Sequence, residues 1–589
     1  MPSPPPTPLE RRILILYATE TGNAYDIAQS LSRIAKRHRY DAYLASVDEY
    51  PIEDFINEPL VIFVVSTTGS GSEPRSMTQM WSMLLRADLP DDLLEGMDYA
   101  VFGLGDTAYE KFCWAAKKLD RRLESLGARR ICERGDGDDQ HELGLEGAFD
   151  PWTNKLFEVL DEEYPLPAGV DVIPAEGLRE SRITISPVSG KAPTVSELDS
   201  RHWATLKINQ RITAPDWYQD VRHIEFVLDE PLEYRPGDIA VIYPEAPEED
   251  VNELLNRMGW ANEAEEEIQL NVRPGEQPLP KNVPHRTTLR EIFTKYLDIN
   301  AVPRRSFFDL LRYFTPDELE REKLEEFCTP EGQQDLCDYC QRVRRTIREV
   351  LVEFRHVSVP KGYIFDLFPP LRPRQFSIAS SSKSHPKEIH TCVAIVNYKT
   401  KLKIPRKGVC TRYLVTLAEG ARVGIGLERG FIRPPKDIST PIICVGPGTG
   451  IAPMRALIEE RELEGAKDNT LYFGCRSRTK DQHYGSEWEE RERAGTLRYR
   501  LSCSRDGEDG KARVYVQHLM EEDAESIWDV LNNKKGSLYI SGSSNKMPVA
   551  VKQAAEHAAV TVGGLSEEEA KRFVMRLERE GRLFEECWS

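Results

Sequence analysis

Short apolar runs, each ending in a polar turn, set the rhythm of the first 160 positions. RRILILY (11–17), LVIFVVST (60–67), YAVFGLG (99–105) and ARRICERG (128–135) read as strands alternating with helical patterns. That alternation predicts a parallel sheet with helices on both faces. From 165 to 200 Pro, Gly and Ser stand without periodicity, and the stretch reads as a linker. From 202 the texture turns to short β runs: HWATLKIN, RHIEFVL and IAVIYP. A charged, helical region follows, and β runs return at RQFSIASS (374–381) and IHTCVAIVNY (389–398). From 440 the βαβ rhythm resumes with PIICVGPG, NTLYFGC, YRLSCSR and SLYISGS. No internal repeat is evident.

Composition narrows the class. At 589 residues, several domains are expected. Charged residues make up 30% and the mean hydropathy is −0.49, which predicts a soluble chain. Runs such as LVIFVV are far too short to span a bilayer. MPSPPPTPLERR has no apolar signal-peptide core, so a cytoplasmic protein without a membrane anchor is expected. The net charge of −19 argues against nucleic-acid binding, which wants a basic face. Eleven scattered cysteines suit reduced thiols. Cys337 and Cys340 form a CxxC, but no second pair lies nearby and the spacing is that of a helix face; no metal site is expected.

Three loops at successive strand ends carry candidate chemistry: TETGNA (19–24), STTGSGSEP (66–74) and GLGDTAYEKF (103–112). Ligands of open α/β sheets sit beyond the carboxyl ends of the strands. Thr19, Thr21 and Asn23 can donate side-chain hydrogen bonds, and a helix N-terminus favours an anion. The loop has no lysine and no GxxxxGK[ST], which argues against a nucleoside-triphosphate loop. Glycines in the other two loops permit close approach by a flat ring, and Tyr109 offers an aromatic face. One such loop is an ordinary βα turn; three together point to a ligand.

Farther along, RPRQFSIASS places an arginine, an aromatic and hydroxyls on one β run, and KGVCTRYL places a glycine and a threonine before a helix. Arginine gains bidentate contacts on a diphosphate, and a Gly-Val-Cys-Thr turn offers amides to the other phosphate. The glycine turn GPGTG (446–450) opens the last βαβ region. Arg476, Ser504, Arg505, Lys511, Arg513 and Tyr515 make a basic, hydroxylated cluster in an acidic chain. A 2′-phosphate is a dianion near neutrality, so such a cluster favours NADPH over NADH.

In this order and combination the motifs resemble the diflavin reductases, whose second half resembles the ferredoxin–NADP⁺ reductases. The resemblance covers essentially the whole chain. It implies an α/β multidomain protein: a flavodoxin-like FMN domain (1–164), a linker (165–200), a β-barrel FAD domain (201–435) with a helical connecting insert (about 247–370), and an α/β NADPH-binding domain (436–589). HRTTLREIFTKYLDI (285–299) resembles part of that connecting insert.

For FMN the resemblance implies Thr19, Glu20, Thr21, Gly22, Asn23 and Ala24 on the phosphate. It sets Thr67, Thr68, Gly69, Gly71, Gly103, Leu104, Gly105 and Tyr109 beside the ring, with Asp138 or Asp139 near the ribityl chain. Thr68 stands where many relatives carry a stacking tyrosine. For FAD it implies Arg374, Gln375, Phe376 and Ser377, then Gly408, Val409, Cys410 and Thr411. Phe376 replaces the usual tyrosine. For NADP it implies Thr449, beside Gly448, with Arg476, Ser504, Arg505, Arg513 and Tyr515; Lys511 is added on charge and position.

Trp588 in FEECWS matches a tryptophan that covers the FAD ring and swings away to admit nicotinamide. Ser377, Ser541 and Glu586 stand where relatives use a Ser/Cys/Asp set beside the hydride path.

Electrons are therefore expected to pass from NADPH to FAD to FMN and singly to a protein acceptor. Phe in RQFSIASS, the short linker and the missing anchor resemble the branch serving cytosolic iron–sulfur protein assembly. That branch implies an anamorsin-type iron–sulfur partner and a monomer outside the acceptor complex. A reductase of heme monooxygenase, methionine synthase or sulfite reductase is the alternative. So is a flavin-binding interaction protein with decayed turnover, given Thr68, Ser541 and Glu586.

Overall fold

The computed structural model describes residues 11–68, 71–109, 111–174, 177–188, 201–280, 282–400, 403–507, 513–544 and 546–588. The chain divides into two compact units: Met1–Ala192 with Leu254–Leu289 and Ala301–Pro369, and Pro193–Glu253 with Arg290–Asn300 and Pro370–Ser589.

The first unit is built on a six-stranded parallel sheet. Its order is Asp41–Ser46, Arg12–Ala18, Leu60–Ser66, Asp98–Gly105, and the last of these pairs with both Arg129–Arg130 and Gly135–Asp138. Both faces are covered, which is why its strands read as unbroken apolar runs. Ile13 and Ile15 pack with helices Asn23–Arg37 and Glu146–Glu163, while Leu14 and Leu16 pack with Thr78–Leu84 and Trp114–Ser125. The order reverses between Arg12–Ala18 and Leu60–Ser66, so the loops after these strands form the crevice where such sheets bind ligands.

ARRICERG is a strand only at Arg129–Arg130, and Gly135–Asp138, in GDGDD, continues the pairing along Asp98–Gly105. The stretch read as a linker carries a strand, Ile183–Pro187, which joins Ile268–Val272 and Arg286–Thr287 in a three-stranded sheet. Two isoleucines alternating with Thr and Ser are too short a pattern to stand out among prolines. The helical insert therefore holds strands, and HRTTLREIFTKYLDI is helical only over 289–296. Cys337 and Cys340 lie in a helical stretch, Cys337–Gln341, with Cys340 buried.

The second unit holds two sheets. The first is antiparallel, ordered Arg374–Ser377, Ile239–Ile242, Arg422–Glu428, His202–Arg211, Val221–Leu228, Glu388–Ala394. A bridge from Ile378 to Thr391 draws its first and last strands together into a near-closed barrel. The second is parallel, ordered Arg498–Cys503, Asn469–Cys475, Ile442–Val445, Ser537–Ser543, Leu583–Trp588. Counted within that sheet the order is 3-2-1-4-5, the dinucleotide-binding arrangement. Helix Glu567–Arg579 buries Ala570, Phe573, Val574 and Leu577, one stripe at helical spacing, and Ser566 with Glu569 closes a capping box at its start. It leads into Leu583–Trp588, a strand the sequence reading had not anticipated at an aromatic-rich terminus.

No helix among the described residues is long and apolar enough to cross a membrane.

Candidate functional site

In the first unit, the strand Arg12–Ala18 delivers TETGNA to the start of helix Asn23–Arg37. Gly22 adopts φ 99°, a left-handed conformation that glycine takes without penalty. Its amide donates to Thr19 Oγ1 at 2.8 Å, so Thr19 braces the loop. Glu20 Oε2 accepts from the Arg75 amide at 3.3 Å and ties this loop to the next. Thr21 is exposed and Ala24 is buried in the core. Arg304, which sequence reasoning missed, donates to Asn23 Oδ1 at 2.6 Å and lies 3.4 Å from Asp26. A cation thus stands beside the loop, carried by a distant segment with no local signal.

In the second loop the Thr68 amide donates to Ser72 O at 2.9 Å and Gly71 takes φ 98°. Thr67 Oγ1 is buried and has no hydrogen-bond partner among the described residues, a donor that a ring heteroatom would satisfy. Gly69 lies outside the described residues. In the third loop a Cβ at Gly103 would strike Ala116, and one at Gly105 would strike the Cys113 amide; both positions are closed to larger residues. Leu104 is buried and Tyr109 is exposed.

Asp138 accepts from the Thr107 amide at 3.0 Å, the Thr107 hydroxyl at 2.7 Å and the Gln140 amide at 3.0 Å. Burial acts to raise its carboxyl, but these donors outweigh burial and the net shift is downward. Asp139 is shifted upward, by burial and then by Asp106 and Asp138. The orphaned Thr67 hydroxyl, the glycine clearances and the helix N-terminus together fit FMN.

In the second unit, Arg374–Ser377 pairs with Ile239–Ile242, Phe376 opposite Ala240 and Ser377 opposite Ile239. The exposed Arg374 guanidinium bonds only carbonyls of Arg372 and Pro373 among the described residues. Gln375 donates to Glu428 at 2.6 Å. Gly408 caps helix Val409–Thr416, and a Cβ there would meet Thr411 Oγ1 and Val396. Cys410 is buried in the barrel core, where desolvation pushes its thiol up to about 12. An exposed guanidinium and a glycine-opened helix start fit a diphosphate such as that of FAD.

The unanticipated last strand builds the centre. Parallel pairing sets Ser541 opposite Glu586 and Ser543 opposite Trp588. The Ser377 hydroxyl donates to Glu586 Oε1 at 3.4 Å, so the barrel motif and the last strand converge. Ser541 is fully buried and its Oγ has no partner among the described residues. Gly450 is obligatory, since a Cβ would collide with the Ser541 carbonyl.

Beside this centre opens a cavity of about 710 Å³, lined by Gly448, Thr449, Arg476, Ser504, Tyr515 and Trp588 among others. Ser504 and Arg505 are held by backbone bonds to Cys475 and Arg476, at 3.0 and 2.8 Å. Arg476 stacks over Tyr218 at 5.1 Å and donates to Gln219 at 3.2 Å. Burial, then the neighbouring Arg505, lowers the affinity of Arg476 for its proton. Arg513 is exposed; Lys511 lies outside the described residues. Sequence reasoning missed His483, which is buried, approaches the Gly448 carbonyl through Nδ1 at 3.2 Å, and leaves Nε2 without a partner among the described residues at the cavity wall.

A flavodoxin-type sheet, a barrel and a dinucleotide sheet in one chain define an oxidoreductase that works with two flavins and a nicotinamide. Family models agree: Flavodoxin over residues 15–152, FAD binding domain over 197–413 and Oxidoreductase NAD-binding domain over 444–553. Proteins named NADPH-dependent diflavin oxidoreductase 1 are similar along the whole length. The Xenopus laevis protein is 39% identical over 98% of this chain and 100% of its own. That of Cryptococcus neoformans is 40% identical over 98% and 100%, and that of Schizosaccharomyces pombe 37% over 98% and 99%. The chain belongs to the NADPH-dependent diflavin oxidoreductase family, enzymes that use FMN, FAD and NADPH.

Proposed function

We propose that this enzyme delivers electrons from NADPH, by way of FAD and FMN, to an anamorsin-type iron–sulfur protein in cytoplasmic iron–sulfur assembly, acting as a monomer outside that complex. Bound FAD supplies a ring that accepts hydride, and FMN passes the electrons on singly. We assign residues 1–164 to FMN, 201–435 with the insert 247–370 to FAD, and 436–589 to NADPH.

The chain's own groups divide the work. The start of helix Asn23–Arg37, with Thr19 to Ala24, receives the FMN phosphate. Thr67, Thr68, Gly71, Gly103, Gly105 and Tyr109 flank its ring. Asp139 takes the ribityl side, because the Asp138 carboxylate is engaged by Thr107 and Gln140. Arg374 and the turn Gly408–Thr411 grip the FAD diphosphate, and Phe376 covers its ring. Arg476, Ser504, Arg505, Arg513 and Tyr515 hold the 2′-phosphate. Trp588 shields the hydride face until nicotinamide enters. Glu586, positioned by Ser377 and by strand pairing, presents a carboxylate there, and Ser541 shapes the floor.

The observation that carries this reading is the meeting of Ser377 and Glu586 beside the cavity that Arg476 and Trp588 line. The acceptor rests on the likeness of RQFSIASS and of the short 165–200 stretch to the iron–sulfur assembly branch. The test is anaerobic stopped-flow with NADPH, then with an anamorsin-type protein. Bleaching followed by fast reoxidation supports the whole path. Bleaching without reoxidation removes this acceptor in favour of a heme, methionine synthase or sulfite reductase partner. No bleaching in fully flavinated protein favours a decayed interaction protein.

A further inference from the structure

We propose that His223, Glu225, Glu388 and His390, on one face of the antiparallel barrel, form a structural binding site for a divalent transition metal of the zinc class. His223 and Glu225 alternate on strand Val221–Leu228, and Glu388 and His390 alternate on Glu388–Ala394. Period-two alternation brings each pair to one face. Antiparallel register places His390 directly opposite Glu225.

The contacts converge. His223 Nε2 lies 3.0 Å from Glu225 Oε1, and His390 Nε2 lies 3.0 Å from Glu388 Oε2 and 3.9 Å from Glu225 Oε2. Ligand atoms of His223, Glu225 and His390 all fall within 4.8 Å of one another. A tetrahedral zinc-class ion with arms of about 2.1 Å spaces neighbouring ligand atoms roughly 3.4 Å apart. His390 belongs to both trios of convergent ligand atoms, one with His223 and Glu225 and one with His385 and Glu388. Two imidazoles and carboxylate oxygen suit this class of ion rather than calcium or magnesium.

Two further features favour a ligand. His223 Nδ1 faces the Tyr484 hydroxyl at 3.0 Å, the outer partner that fixes a ligating imidazole. Charge is also unbalanced. Glu225 and Glu388 share the Lys207 ammonium, which lies 2.9 Å from Glu225 and 2.8 Å from Glu388. Lys383 is paired with Glu460 and Glu464, and Arg455 with Glu487. His385, 3.1 Å from Glu459, flanks the site. Lys207 sits at a register shift between Leu206 and Ile208, and its side chain is 43% exposed, so it can swing out and open an entry path. Lysine is the internal competitor for the metal.

The site would brace the flavin motif. The Ala379 amide donates to the His390 carbonyl at 2.7 Å, and Ile378 bridges Thr391, immediately after Arg374–Ser377. None of the four residues lines the cavity that Trp588 lines, and the site's role is architectural.

The test uses the full-length, doubly flavinated protein and Co²⁺ as the probe, because cobalt reports its ligands by colour. One equivalent is expected to bind with d–d bands and no thiolate charge-transfer band. Loss of that equivalent in His390→Gln and in Glu225→Gln, with the flavin spectra unchanged, would support the site. Lys207→Met, which leaves every ligand in place, is expected to tighten binding at least tenfold. Retention of the equivalent in both ligand variants, a thiolate band, or unchanged affinity in Lys207→Met would overturn the proposal. So would the absence of any bound equivalent in the parent protein.

Discussion

Ser377 and Glu586 stand 209 positions apart in the chain, yet the serine hydroxyl reaches the carboxylate at 3.4 Å. This contact makes Glu586 the group whose removal separates binding from chemistry. Glu586→Gln keeps the shape and removes the charge. Its hydride-transfer rate is expected to fall about 10- to 100-fold while the KM for NADPH changes little, the mark of an interaction made in the transition state. Single-turnover stopped-flow at saturating NADPH measures it; an unchanged rate would remove Glu586 from the hydride path.

Ser541 offers the opposite kind of change. Its buried hydroxyl has no partner among the described residues, a cost of about 1–3 kcal/mol. Ser541→Cys replaces it with a thiol that tolerates burial. Thermal unfolding is expected to shift upward and hydride transfer to quicken. A fall in both would mean that the hydroxyl is needed as it stands.

Arg476 should carry much of the choice of coenzyme. Its contact with a dianion is worth about 1.5–3 kcal/mol, or roughly 10- to 150-fold in affinity. Arg476→Ala is expected to raise the KM for NADPH by that range and leave NADH turnover nearly unchanged. Equal losses with both coenzymes would assign Arg476 to the pyrophosphate or to folding.

Thr68 stands at the position where the resemblance to the diflavin reductases implies a stacking tyrosine in many members. Thr68→Tyr preserves the backbone bond to Ser72 and adds a ring face. A stack worth about 1–3 kcal/mol would tighten FMN about 5- to 150-fold. Fluorescence titration of FMN-depleted protein reads this directly, and no tightening would place Thr68 away from the ring.

Trp588 lines the cavity proposed above for nicotinamide while still 41% exposed, so it can leave without unmaking a core. Trp588→Ala is expected to raise NADH-supported turnover several-fold by removing a competitor for the ring face. Steady-state comparison of NADH and NADPH checks it, and unchanged NADH turnover would assign the tryptophan to another task.

Much of this was legible in the sequence because the signals were local. Strands buried on both faces read as unbroken apolar runs, and glycine turns after them mark where ligands approach. Ile183–Pro187 escaped because two apolar residues carry no readable period. Leu583–Trp588 escaped because LFEECW alternates poorly and gains its meaning from Ser537–Ser543. Arg304 and His483 act on loops hundreds or tens of positions away. The sequence reading assigned no metal. His223, Glu225, Glu388 and His390 come from two segments that only barrel register brings together.

That same dependence on register makes the turn at Glu580–Arg582 a gauge for chemistry. Side chains of a strand alternate between faces, so a slip of one residue turns every one of them over. One residue inserted there would set Glu585 where Glu586 belongs and cost Lys552 its partner at 2.8 Å. The sheet would keep its hydrogen bonds and the protein its colour. What it would lose is the carboxylate proposed for the hydride path, an error of spacing that spectra of bound flavin would not reveal.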